Sequence, residues 1–132
     1  MSFWIDALGC EMKFYDAGGW RTRVIEAGEG PAVIMMHGLS GHAEGFIRNV
    51  RKIADAGYRA ISMDALGHGF SAKPTDVTYH SPAFVEHLKR FMDAAKIDKV
   101  HLVGQSLGAW TGFHFAMEYP KRVHSLFSVT GA

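Results

Sequence analysis

The sequence has a single cysteine, Cys10, so no internal disulfide can form. A lone thiol favours a reducing compartment and is read as incidental. No apolar run approaches the roughly 20 residues that a membrane span requires. The opening residues, Met1-Ser2-Phe3-Trp4-Ile5-Asp6, lack the basic segment and long apolar stretch of a secretory signal. Neither sign of charge dominates: 14 Lys and Arg stand against 13 Asp and Glu, a formal charge of +1 with no basic stripe. Neither a nucleic-acid nor an anionic-membrane surface is therefore expected. Eight histidines are present, yet there is no H-E-x-x-H and no Cys/His cluster, so no metal and no other cofactor is expected. Repeats and low-complexity stretches are missing too. These absences leave a soluble, cytoplasmic protein as the default, and any small-molecule substrate has to be argued from the motifs.

What is present is an ordinary globular balance over 132 residues, 48% apolar and 20% charged, enough for one compact domain with a real core. Met12–Asp16, Ala17-Gly18-Gly19 and Trp20–Glu26 read as a hairpin, since glycines supply positive φ between aromatic and β-branched runs. Ala32–Met36 is short and continuously apolar, as a strand buried on both faces must be. Gly45–Ala56 has helical spacing and is closed by Gly57; Tyr58–Met63 is strand-like and runs into Asp64. A Gly/Pro-rich loop, Ala65–Tyr79, precedes a helix to about Ala95, with Ser81 as N-cap and Pro82 at the first position. Lys99–Val103, Leu107–Tyr119 and Val123–Val129 follow as strand, helix and strand, with Phe113 and Phe115 assigned to the core. Alternation on short connections predicts a doubly wound, mostly parallel α/β sheet with the hairpin antiparallel at one edge.

Chemistry concentrates in Gly104-Gln105-Ser106-Leu107-Gly108, a G-x-S-x-G between a predicted strand and a predicted helix. A turn that tight forces an unfavourable backbone conformation on the serine and leaves no room for side chains two residues to either side. The Ser106 hydroxyl then projects from the sheet at a helix N-terminus, where unpaired N–H groups and the helix dipole favour negative charge. Ser106 is the candidate nucleophile and the Leu107 N–H a candidate oxyanion donor. His37-Gly38-Leu39-Ser40-Gly41 follows the first buried strand and fits a loop supplying the second donor, assigned to the Leu39 N–H. His37 shapes that loop in preference to acting as the base, and Gly38 and Gly41 allow close backbone approach. Gly38, Ser40 and Gln105 are candidate substrate contacts; Gln105 either lines the pocket or pins its neighbours. In Asp64-x-x-Gly67-His68-Gly69-x-Ser71, the Asp64 carboxylate is expected to bond loop N–H groups, with a triad acid the lesser alternative.

Taken together and in this order, His37-Gly38, the Asp64–Ser71 loop and Gly104-x-Ser106-x-Gly108 resemble the α/β-hydrolase superfamily across nearly the whole chain. Residues His37 to Glu44, the Arg48-Asn49 pair and the closing Val129-Thr130-Gly131 are most similar to meta-cleavage-product hydrolases. That resemblance implies cleavage of carbon–carbon bonds in ring-fission products of aromatic degradation. Many of those enzymes carry Asn where this chain has Gln105, and more glycine where it has Leu39, so a carboxylesterase is the alternative.

The resemblance further implies that acid and histidine follow the nucleophile in the chain, after an inserted lid. No residue after Ser106 fits either role: His114 falls within a helix, and His124 at the start of a strand, the wrong end of a parallel sheet. Residues 1–132 are thus expected to be the N-terminal part of one core domain. A second polypeptide or a continuation would supply acid and His, and a homo-oligomer is left open. The alternative of another class is a non-catalytic half-fold that serves as a binding or assembly module.

Overall fold

The computed structural model describes residues 3–130. A short helix α1 (Phe3–Ala7) precedes a hairpin of β1 (Glu11–Ala17) and β2 (Trp20–Ala27). Then come β3 (Ala32–Met36), a 3₁₀ turn (Ala43–Phe46) leading into α2 (Ile47–Asp55), β4 (Arg59–Met63) and α3 (Ser81–Ala94). The chain continues through β5 (Val100–Gln105), α4 (Leu107–Glu118) and β6 (Val123–Thr130). The strands form one sheet in the order β1-β2-β4-β3-β5-β6. β4, β3, β5 and β6 are parallel, while β2 is antiparallel to both β1 and β4, so the hairpin forms the edge. This is the doubly wound α/β architecture that the alternating pattern predicts.

β3 is central and buried along its whole length because helices cover both faces of the sheet. On one face Ile34 and Met36 pack with Ile61, Leu102, Leu88 and Phe91 of α3, and Phe115 of α4. On the other, Val33 and Met35 meet Ile25, Ala60, and Val50 and Ala54 of α2. The connection after β3 leads through α2 to β4 on one side. The connection after β4 returns through α3 to β5 on the other side. β3 and β5 are therefore neighbours whose following helices, α2 and α4, lie on opposite faces. Such a reversal leaves a crevice at the carboxyl ends of the two strands, where open α/β sheets bind ligands. The loop after Met36 and the turn at Ser106 both emerge there.

Three expectations are corrected. The helix predicted from Gly45 begins instead as a 3₁₀ turn at Ala43, and regular α geometry starts at Ile47. Ser81 is the first residue of α3, not its cap; His80 holds the extended cap conformation, and the Ser81 hydroxyl accepts the Trp110 indole N–H. Phe113 is 49% exposed, while Phe115 is fully buried, because α4 turns only one stripe onto the sheet. Among the described residues β6 pairs only with β5 and leaves Phe127 65% exposed. No helix of the described residues is long and apolar enough to cross a membrane.

His87 of α3 is buried against the hairpin. The Thr22 hydroxyl donates to the Trp20 carbonyl at 3.0 Å, so the His87 Nε2–H donates to Thr22 Oγ1 at 2.7 Å. Burial, with the Arg90 charge added, pushes this imidazole from 6.5 down to about 4. The unfolded chain binds the proton near 6.5 and the folded one only near 4. Stability is therefore full above pH 6.5 and falls by about 3 kcal/mol as pH drops to 4. In urea denaturation, the stability difference between wild type and His87→Gln should shift by about that amount between pH 7 and pH 4. A pH-independent difference would contradict the assignment.

Candidate active site

Ser106 is the single residue between β5 and α4, at φ +50° and ψ −110°. That conformation costs a non-glycine residue on the order of 1–3 kcal/mol. It is held from both sides: the Ser106 N–H donates to the Thr130 carbonyl at 2.9 Å, and its carbonyl accepts the Trp110 N–H at 2.9 Å. The hydroxyl makes no capping bond to α4 and sits half-buried. The flanking glycines are steric necessities. A Cβ on Gly104 would lie 2.4 Å from the Ala109 nitrogen, and one on Gly108 would lie 2.1 Å from the Met36 carbonyl oxygen. The second approach is the more telling, since it welds the start of α4 onto the end of β3.

The loop after β3 lies against this turn. A Cβ on Gly38 would meet the Gln105 carbonyl oxygen and Ser106 Cβ, each at 3.3 Å. Residues 38–41 form a tight turn closed by the Gly41 N–H on the Gly38 carbonyl at 3.0 Å, with Ser40 at φ +65°. Leu39 is the exposed apex of that turn and Leu107 the first residue of α4. Among the described residues, neither the Leu39 nor the Leu107 N–H donates to a carbonyl. Two N–H groups without acceptors thus belong to segments that converge on Ser106, one of them at the positive end of a helix.

His37 has no free nitrogen with which to act as a base. A carbonyl only accepts and an N–H only donates, so Nδ1–H donates to the Gly38 carbonyl at 2.7 Å and Nε2 accepts the Ala65 N–H at 3.0 Å. Burial lowers its pKa and keeps it neutral. Its role is to tie the Leu39 turn to the loop after β4. Asp64 bonds loop backbone, accepting the Phe70 N–H at 2.8 Å and the Ala43 N–H at 2.7 Å. It also pairs with Arg23, whose Nε lies 2.8 Å from its carboxylate, a partner the sequence reading missed.

A cleft of about 380 Å³ opens beside the turn, lined by Leu39, Gly67, His68, Tyr79, Phe84 and Leu107. Of the candidate contact residues, Gly38 packs against Ser106, and Ser40 and Gln105 are exposed; none of the three lines the cleft. Its walls come instead from the loop after β4 and the start of α3. There a Cβ on Gly67, at φ +79°, would sit 2.6 Å from the Tyr79 ring, which fixes that aromatic wall in place. The His68 Nδ1–H donates to the Leu66 carbonyl at 3.0 Å. His114 tilts against Trp110 on α4, and His124 stacks on His101, at the end of β6 remote from Thr130 and hence from Ser106. Among the described residues no three His, Cys, Asp or Glu side chains are grouped to hold a metal.

Comparison with known proteins places these features in context. Residues 31–131 match the family described as alpha/beta hydrolase fold. A 2-hydroxy-6-oxo-6-(2'-aminophenyl)hexa-2,4-dienoic acid hydrolase of Metapseudomonas resinovorans is 41% identical over 86% of this chain and 40% of its own. A 2-hydroxy-6-oxo-6-phenylhexa-2,4-dienoate hydrolase of Comamonas testosteroni is 42% identical over 74% and 35% respectively. Among solved structures, a serine hydrolase involved in carbazole degradation superposes with a TM-score of 0.84 at 39% identity, covering 93% of this chain and 48% of that one. The chain spans about two-fifths of the length of these curated relatives. The contact between Gly108 and β3 predicts that Gly108→Ala destabilises the fold by roughly 1–3 kcal/mol. Gly45→Ala, with nothing within 4 Å of the added carbon, should stay within about 0.5 kcal/mol of wild type in the same denaturation assay.

Proposed function

The chain belongs to the α/β-hydrolase family, and from that premise we propose that Ser106 is the nucleophile of a carbon–carbon bond hydrolase for aromatic ring-fission products. The observation that carries this reading is the strained Ser106 turn, against which the Gly38 segment packs, with the Leu39 and Leu107 N–H groups left without carbonyl acceptors among the described residues. Ser106 Oγ attacks the ketone carbon of a vinylogous 1,5-diketone, or water does so from the same site. The Leu39 and Leu107 N–H groups receive the oxyanion. When the carbon–carbon bond breaks, the departing carbon takes a proton and the acyl fragment leaves, after hydrolysis, as a carboxylic acid. Residues 1–132 would supply nucleophile and oxyanion hole. An acid and a histidine to take the Ser106 proton would come from the remainder of a longer polypeptide or from a second chain. The two relatives named above act, by name, on dienoic acids with an aromatic substituent, and together with the aromatic Tyr79 and Phe84 walls they support this substrate class. A cytoplasmic setting fits a protein whose lone cysteine stays unpaired.

One observation favours the esterase reading: among the described residues that line the cleft there is no Lys or Arg to pair with a dienoate carboxylate. The assay should therefore compare 2-hydroxy-6-oxo-6-phenylhexa-2,4-dienoate with p-nitrophenyl butyrate. The proposal expects a higher kcat/KM on the dienoate, and a fall of at least about 10³-fold in Ser106→Ala. Preference for the ester would move the assignment to a carboxylesterase. Equal turnover of both by wild type and Ser106→Ala would sink it. Absence of Ser106-dependent labelling by a fluorophosphonate would favour a non-catalytic module.

A further inference from the structure

Arg23 stands on β2, three strands away from the nucleophile's strand in the sheet, yet it is the largest fully buried side chain, 1% exposed. Its guanidinium lies between two carboxylates from two different loops. Nη1 and Nη2 donate to Glu44 at 3.0 and 2.7 Å, and Nε and Nη2 donate to Asp64 at 2.8 and 3.3 Å. Asp64 in turn accepts the Ala43 N–H at 2.7 Å, and the Ser62 hydroxyl donates to the Ala43 carbonyl at 2.7 Å. The segment that leaves the Leu39 turn is therefore gripped at Ala43 and Glu44. The segment that enters it is gripped at His37 and Gly38. Between these anchors, the backbone of residues 39–42 is braced by the Gly41 N–H on Gly38 and the Gly45 N–H on the His42 carbonyl, and Ser40 is strained at φ +65°.

A buried ion pair is weak evidence for stability, because apolar side chains of similar volume often serve equally well. What the charges add here is geometry. One planar fork satisfies two carboxylates at four contacts, which a lysine's single ammonium cannot reproduce. We propose that Arg23 is a positioning residue that holds the Leu39 N–H in register with Ser106, by pinning Glu44 directly and Ala43 through Asp64. The inference rests on the reading of Leu39 as an oxyanion donor.

Removing Arg23 outright strands Asp64 in the interior, so the informative variants are Glu44→Gln, at a half-exposed position, and Arg23→Lys. Three readouts apply: kcat and KM on p-nitrophenyl butyrate, affinity for phenylboronic acid, which forms a tetrahedral adduct on an active serine, and amide exchange over residues 38–44. In Glu44→Gln, kcat and boronate affinity should each fall by about 10- to 100-fold with KM within about twofold, and exchange over 38–44 should quicken. Arg23→Lys should fall at least as far. A purely structural role would lower the melting temperature and leave kcat, boronate affinity and exchange of the folded protein unchanged, which overturns the proposal. Wild type inactive on both the ester and 2-hydroxy-6-oxo-6-phenylhexa-2,4-dienoate, with exchange still quickened in Glu44→Gln, would defeat the hydrolase reading and sustain the anchoring of the turn.

Discussion

Three stretches of backbone meet around Ser106 more closely than side chains allow: the end of β3, the end of β5 and the start of α4. Gly108 touches the Met36 carbonyl, Gly104 touches the backbone of Ala109, and Gly38 touches Gln105 and Ser106. This approach forces the serine into its left-handed conformation and leaves its hydroxyl outside the hydrogen-bond network of the turn. Much else in the described chain serves it. The parallel strands set the direction of approach, the reversal between β3 and β5 opens the crevice, and the buried faces of α3 and α4 hold the strands in place.

Polar groups around the site are arranged to fix backbone as much as to react. His37 spends both nitrogens on two loops and is held neutral by burial. Asp64 closes its own loop so tightly that a Cβ on Gly69 would fall 2.2 Å from its carboxylate oxygen. For Glu44, burial would raise the pKa, but the Arg23 hydrogen bonds and charge, with backbone and His42 hydrogen bonds, together outweigh it and hold the carboxyl below its ordinary range. A site that must stabilise charge in a transition state benefits from dipoles already aimed before the reaction starts. Rigid loops provide that.

The strand–turn–helix around Ser106 was legible in the sequence because its cause is local: an apolar run, two glycines at fixed spacing and a helical pattern. The same holds for the buried β3 and the Gly18-Gly19 hairpin. The loop-shaping role of His37 and the backbone pairing of Asp64 were also readable, since a His-Gly at a strand end and an Asp at the head of a glycine-rich loop are local patterns. Arg23 was not. Alternation along a strand marks one face as exposed only when that face is uncovered, whereas Thr22, Arg23, Val24, Ile25 and Glu26 of β2 are all buried. The cleft walls Gly67, His68, Tyr79 and Phe84 were missed for a related reason: a loop without periodicity acquires its position only from what it packs against. Ser81 satisfied a capping pattern one residue away from where the helix begins, and Phe113 shared helical spacing with Phe115 on the opposite stripe.

The central claim is that the Leu39 and Leu107 N–H groups face one point beside the Ser106 hydroxyl. The most direct measurement is a crystal structure of the protein after reaction with a fluorophosphonate. The account predicts a phosphorus atom bonded to Ser106 Oγ, with one phosphoryl oxygen about 2.7–3.1 Å from both nitrogens. An adduct whose phosphoryl oxygen points to solvent, or lies near only one of the two nitrogens, would contradict it.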